Sequence, residues 1–249
     1  MKKNCITSVK TNKTVKKLYS KIQEPTSVVL LYDSTINRMK SYGPIALFSL
    51  KENIKILDYH IAFINAHFAN ADIIMCVGPE SEKIIKYVQT KYYNTNIRIV
   101  ENQIHNSTNA CESLRLCLNN TSNSNILLIN ALTLPKKIKP LQKSGVMLYI
   151  SEENKRSEIG ININEKNQVE YMSFCAKNSW LDMMWINNKN VISTMKKILL
   201  QESYKKKMWF ELINEMISRK INVDYTMIKD EIIKIDNPKT YSDQKGEEE

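Results

Sequence analysis

Three apolar runs that carry no charge constrain this fold more than any other feature: residues 27–32 (SVVLLY), 73–77 (IIMCV) and 126–129 (ILLI). Each is too short for a buried helix and is rich in valine, isoleucine and leucine. That is how a strand covered on both faces of a parallel sheet reads. A short run at 97–100 (IRIV), which contains Arg98, adds a further strand. Between the first two, Ile56, Tyr59, His60, Phe63, Ile64 and His67 recur at helical spacing. Gly78-Pro79 closes the second run, and Ser81 is the expected N-cap of a helix carrying Ile84, Ile85, Val88 and Tyr92. A further helix is expected over 108–118, followed by the asparagine- and serine-rich loop 119–125. Strand alternating with helix is a βαβ progression, so the fold class is α/β, a three-layer α/β/α Rossmann-like arrangement around a mostly parallel sheet.

The pattern changes after Pro140. Residues 146–150 are strand-like, and 159–163 and 169–174 flank Asn164-Glu165-Lys166-Asn167 as a hairpin, an antiparallel addition to the sheet. Helices are expected around 191–200 and 207–218, and the chain finishes with an extended segment at 232–236 before Pro238. The organisation read from this is a basic extension at 1–24, one domain at 25–242 and an acidic tail at 243–249.

The net charge of +10 raises the question of nucleic acid, because clustered lysines release counterions from phosphate. Seven lysines precede Glu24, while the others are scattered among acids and asparagines, so no nucleic-acid partner is expected. Five cysteines form no C-x-x-C pair, and no run is apolar and long enough to span a bilayer. The expectation is a reduced, cytoplasmic protein without a transmembrane segment.

Ligands of open α/β sheets sit at the carboxyl ends of the strands. There the segment from Val28 to Leu50, with Leu31, Arg38, Met39, Pro44, Ala46 and Leu47, resembles the opening of the sugar-phosphate and phosphocholine nucleotidyltransferases. The stretch Asn102, His105, Thr108, Asn109, Ser113, Leu114 resembles a segment of the phosphocholine-type cytidylyltransferases, with His105 in the place of an aromatic residue. Glu231 to Pro238, after a helix carrying Trp209 to Ile213, is similar to the closing segment of that family.

The resemblance implies attack by a substrate phosphate on the α-phosphorus of a nucleoside triphosphate, with CTP a candidate, and release of pyrophosphate. Such transfers depend on positioning and charge neutralisation, which here implies Mg²⁺ if the protein is active. On the resemblance, Arg38 and Asp236 are the candidate catalytic residues, with Asp236 also the candidate metal ligand. Ser34, Asn102, Thr108, Asn109 and Ser113 are candidate nucleotide or substrate contacts. Five of these have a plainer alternative: Thr108 and Asn109 as helix caps, Ser113 as a packing residue, Asp236 as a turn cap, Arg38 as a surface residue.

Several required groups are replaced. The loop glycines fall at Ser34 and Ile36, the signature lysine at Ile45, and the first metal-binding aspartate at Leu132 or Ala131. Asp33 adds a carboxylate beside the loop, where its charge repels a triphosphate unless a cation intervenes. His60 and His67 read as core or partner-facing residues, and Tyr92-Tyr93 and Trp180 to Trp185 as packing residues. The sequence therefore implies a diverged nucleotidyltransferase-like protein keeping a pocket for a nucleotide or phosphorylated small molecule. An active nucleotidyl- or cytidylyltransferase and an interaction protein that contacts a protein partner are the alternatives.

Overall fold

A computed structural model describes residues 21–33, 42–138, 144–152, 158–229, 232–235 and 237–245. The apolar runs form the centre of its sheet: β1 (Thr26–Tyr32), β2 (Ala71–Val77), β3 (Ile97–Glu101) and β4 (Asn125–Asn130). β1 lies between β4 and β2, with β3 beyond β2, and all these pairings are parallel. Every residue of β1 is buried, because helices cover the sheet on both sides.

Alternate residues of β1 enter opposite cores, as the two-residue period of a strand requires. Val28, Leu30 and Tyr32 pack with Ile56, Leu57, Ile61 and Ile64 of α1 (Ile56–His67) and Ile84 and Val88 of α2 (Ser81–Lys91). Val29 and Leu31 face Leu114, Cys117 and Leu118 of α3 (Ala110–Asn119). Each fully buried side chain of this kind contributes about 1.5–3 kcal/mol, so both faces hold the central strand.

After β5 (Thr133–Pro135), which lies in a separate two-stranded sheet, the antiparallel addition runs through β6 (Val146–Ser151), the hairpin of β7 (Ile159–Ile163) and β8 (Val169–Phe174), and β9 (Asn178–Ile186). β9 lies between β4 and β6, antiparallel to both, and buries Trp180 and Trp185. After α4 (Lys189–Leu199) and α5 (Trp209–Ser218), β10 (Val223–Met227) joins β6 in parallel. β11 (Ile232–Lys234) pairs with β5, and α6 (Pro238–Lys245) follows, continuing past residue 242. At the other end, Ile22 bridges Phe68, so the described end of the basic segment touches the domain.

Ser81 is not the cap of α2. Glu80 occupies the N-cap position in the left-handed region at φ 54°, and the Ser81 hydroxyl donates instead to Glu101 Oε1 at 2.6 Å.

At the outer edge of β8, Asn214 of α5 places its side-chain amide against one backbone residue. Its Oδ1 accepts from Met172 N–H at 2.7 Å and its Nδ2 donates to the Met172 carbonyl at 2.9 Å.

Two polar clusters of the scaffold are well partnered. The His60 Nε2 lies 2.7 Å from the Thr133 carbonyl, which can only accept, so Nε2 carries the proton and Nδ1 accepts from the Tyr32 hydroxyl at 2.5 Å. Burial pushes this imidazole down to about 4. Between α1 and α2, Asp58 accepts from Lys91 Nζ at 2.7 Å, from the Tyr92 hydroxyl at 2.5 Å and from the Tyr87 hydroxyl at 2.9 Å. The Lys55 N–H adds a fourth donor at 3.2 Å. Burial by itself pushes the Asp58 carboxyl up, but these donors outweigh it and hold the group below its ordinary value.

Candidate functional site

A cavity of about 540 Å³ opens where β1 to β4 end. Asp33 just after β1, Pro79 and Glu80 from the turn after β2, and His105 and Thr108 from the loop after β3 line it. Asn130 of β4, Asp182 of β9 and Trp209 of α5 complete much of the wall. Sheet geometry explains the convergence: parallel strands deliver all their carboxyl ends to one rim.

The β1 and β2 ends approach closely. A Cβ on Gly78 would meet the Asp33 carbonyl oxygen at 2.8 Å, so only glycine lets the two turns lie against each other. Asp33 is thereby fixed at the cavity, where the Ser113 hydroxyl donates to its Oδ2. Ser113 accepts in turn from Asn102 Nδ2 at 2.9 Å, and the same amide reaches Thr108 Oγ1 at 3.1 Å. Asn102 Oδ1 accepts from the Ile104 N–H at 3.2 Å. Burial raises the Asp33 carboxyl above its ordinary value, and the Ser113 hydrogen bond opposes this without reversing it.

The structure thus brings four of the expected site residues into one network or its border. Asn102 and Ser113 are buried and face each other, with the Ser113 hydroxyl turned to Asp33. Thr108 and Asn109 line the cavity. Asn109 is also the N-cap of α3, its side chain accepting from the Ala110 N–H at 2.8 Å. The neighbouring amides are occupied as well: Asn109 N–H donates to the Lys205 carbonyl at 2.8 Å and Cys111 N–H to the Lys207 carbonyl at 3.2 Å. Ser34, Arg38 and Asp236 lie outside the described residues.

The substituted positions are accommodated as apolar sites. Ile45 is only 2% exposed and packs with Phe48 and Ile56 in the α1 core. Ala131 is fully buried, and Leu132 packs against the same core. Sequence reading missed Asp182, which sits in β9 at φ 50° with its carboxylate 2.7 Å from Lys234 Nζ. Its signal was a lone acid inside the apolar run LDMMWI.

Magnesium requires several hard oxygen ligands in near-octahedral array. Among the described residues no three His, Cys, Asp or Glu side chains cluster in a way that could hold a metal. Of the two aspartates at the cavity, Asp182 is ion-paired with Lys234, so the described residues do not supply the ligand set the ion needs.

Solved structures of nucleotidyltransferases share this fold. The CTP:phosphocholine cytidylyltransferase of Streptococcus pneumoniae superposes with a TM-score of 0.71 at 18% identity, over 87% of this chain and 96% of that one. The inositol-1-phosphate CTP transferase of T. maritima gives 0.71 at 11% identity, over 87% and 91%. A nucleoside-diphosphate-sugar pyrophosphorylase of Vibrio cholerae RC9 gives 0.70 at 15% identity, over 86% and 98%. No protein-family model and no curated protein matches the sequence. The likeness fixes the fold alone, because fold does not fix chemistry. No helix of the described residues is long and apolar enough to cross a membrane.

Proposed function

We propose that this chain is a diverged nucleotidyltransferase-like protein that keeps a strand-end pocket for a nucleotide or a phosphorylated small molecule while its catalytic apparatus has degenerated. One observation carries the reading: the cavity is large enough for such a ligand, yet its described lining includes no lysine or arginine. The position of the family's signature lysine is a buried isoleucine, Ile45. A site that must neutralise a triphosphate in the transition state needs those cations.

A second reading, an active nucleotidyl- or cytidylyltransferase using Mg²⁺, is favoured by Asp33 and Asp182 lining the same cavity. It requires Arg38 and Asp236 to complete the catalytic set.

A thermal-shift titration against CTP, UTP, GTP, ATP and phosphocholine, with and without Mg²⁺, separates these. Ligand at about 100 times its Kd adds about 2.7 kcal/mol of stability. Stabilisation by a nucleotide without pyrophosphate release is the expected result. Mg²⁺-dependent pyrophosphate release moves the conclusion to an active transferase, and no shift with any ligand moves it to an interaction protein.

A further inference from the structure

We propose that Asp33 is a specificity-determining residue of the strand-end cavity, and that it makes the pocket prefer a nucleoside or nucleoside monophosphate over a triphosphate. This rests on the nucleotide-pocket reading and names the part of the nucleotide that the pocket accepts.

Among the described residues three carboxylates line the cavity, and they are not equivalent. Glu80 is ion-paired with Lys83 and Asp182 with Lys234. Among the described residues Asp33 has no lysine or arginine paired with it; the Ser113 hydroxyl donates to it, and the Asn102 amide and His105 lie beside it. A partly buried carboxylate held by neutral donors retains acceptor capacity that a ligand N–H or O–H satisfies, and it repels an approaching phosphate. The Asp33 backbone packs against Gly78, which fixes where that charge stands.

The nearby helix end offers phosphate no compensation. The Asn109 and Cys111 amides of α3 are spent on the Lys205 and Lys207 carbonyls, and the Ala110 amide on the Asn109 side chain. The first-turn N–H groups that would attract an anion are therefore occupied. A base or ribose edge, which brings donors and little charge, meets none of this opposition. Selectivity of this kind works through a repulsive element as much as an attractive one.

The test is a calorimetric affinity ladder on the full chain with cytidine, CMP, CDP and CTP, in chelator and low salt, repeated with the adenosine, guanosine and uridine series. CTP is expected to bind about fivefold more weakly than CMP, the size of a single like-charge interaction across a partly solvated cavity. Asp33→Asn should bring the two to within about twofold. Should that variant fold poorly, the wild type at high salt gives the same readout, because screening closes the gap. Affinity that rises from CMP to CTP overturns the selectivity and leaves the pocket reading standing. A gap indifferent to both salt and Asp33→Asn overturns the role of Asp33. If no nucleoside or nucleotide binds at all, the pocket reading fails and this inference with it.

Discussion

Asp58 and Asp33 are both partly buried carboxylates, yet the protein treats them in opposite ways. Asp58 sits between two helices and receives four donors, so its ionised form is favoured by folding. Asp33 sits at the rim of the sheet with Ser113 and Asn102 as its side-chain donors, too few to offset burial, and folding disfavours its charge. One joins α1 to α2, while the other faces a cavity. The difference separates a group satisfied by its own chain from one left with capacity for something else.

The hardest way to break this contrast is to restore a charge where the scaffold has closed over. Ile45→Lys returns the residue type expected at the family's signature position, but into a site that is 2% exposed. It should cost about 4 kcal/mol, since an unpaired ammonium loses its hydration there. Urea denaturation measures it, and a variant as stable as wild type would mean that this segment opens readily to solvent.

Acid should probe the scaffold next. The folded imidazole of His60 titrates near 4 against an ordinary 6.5, so the unfolded chain binds the proton more readily. Stability from this group is full above about pH 6.5 and is lost as pH falls towards 4, about 3 kcal/mol in all. His60→Gln should flatten that limb of the stability-against-pH curve.

The two aspartates then give the smallest effects, with opposite signs. Asp58→Ala leaves two tyrosine hydroxyls and Lys91 without their acceptor and should cost about 2 kcal/mol. Because the folded Asp58 carboxyl lies below its ordinary value, its contribution is present above 3.8 and fades as pH falls through the folded value. Asp33→Asn should instead stabilise by about 1 kcal/mol at neutral pH, because the charge it removes is one that folding opposes. Its linkage runs the other way: in the wild type, stability is lost as pH rises from 3.8 through the raised folded value. Equal responses in the two variants would erase the distinction drawn between them.

The central strands were legible because burial on both faces leaves apolar runs with nothing to interrupt them. β9 was harder. Asn178 to Ile186 carries a polar start, two tryptophans and Asp182, and its register is irregular opposite β6, so neither alternation nor an unbroken apolar run marks it. α6 was missed for a different reason. Pro238 reads as a stop after a strand, but proline is equally suited to the first turn of a helix, and the Asn237 Oδ1 accepts from the Thr240 N–H at 3.0 Å there. At the site, local sequence pointed to Asn102, Thr108, Asn109 and Ser113, which fall within one loop and the start of one helix. Asp182 and Trp209 reach the same cavity from distant parts of the chain, and only the tertiary fold brings them there.

Asn214 carries one more consequence. By answering both the N–H and the carbonyl of Met172, a single side chain stands in for the next strand at the rim of the hairpin. A foreign chain seeking to zip onto β8 finds that rung of the ladder already taken, so growth of the sheet is stopped there by one amide.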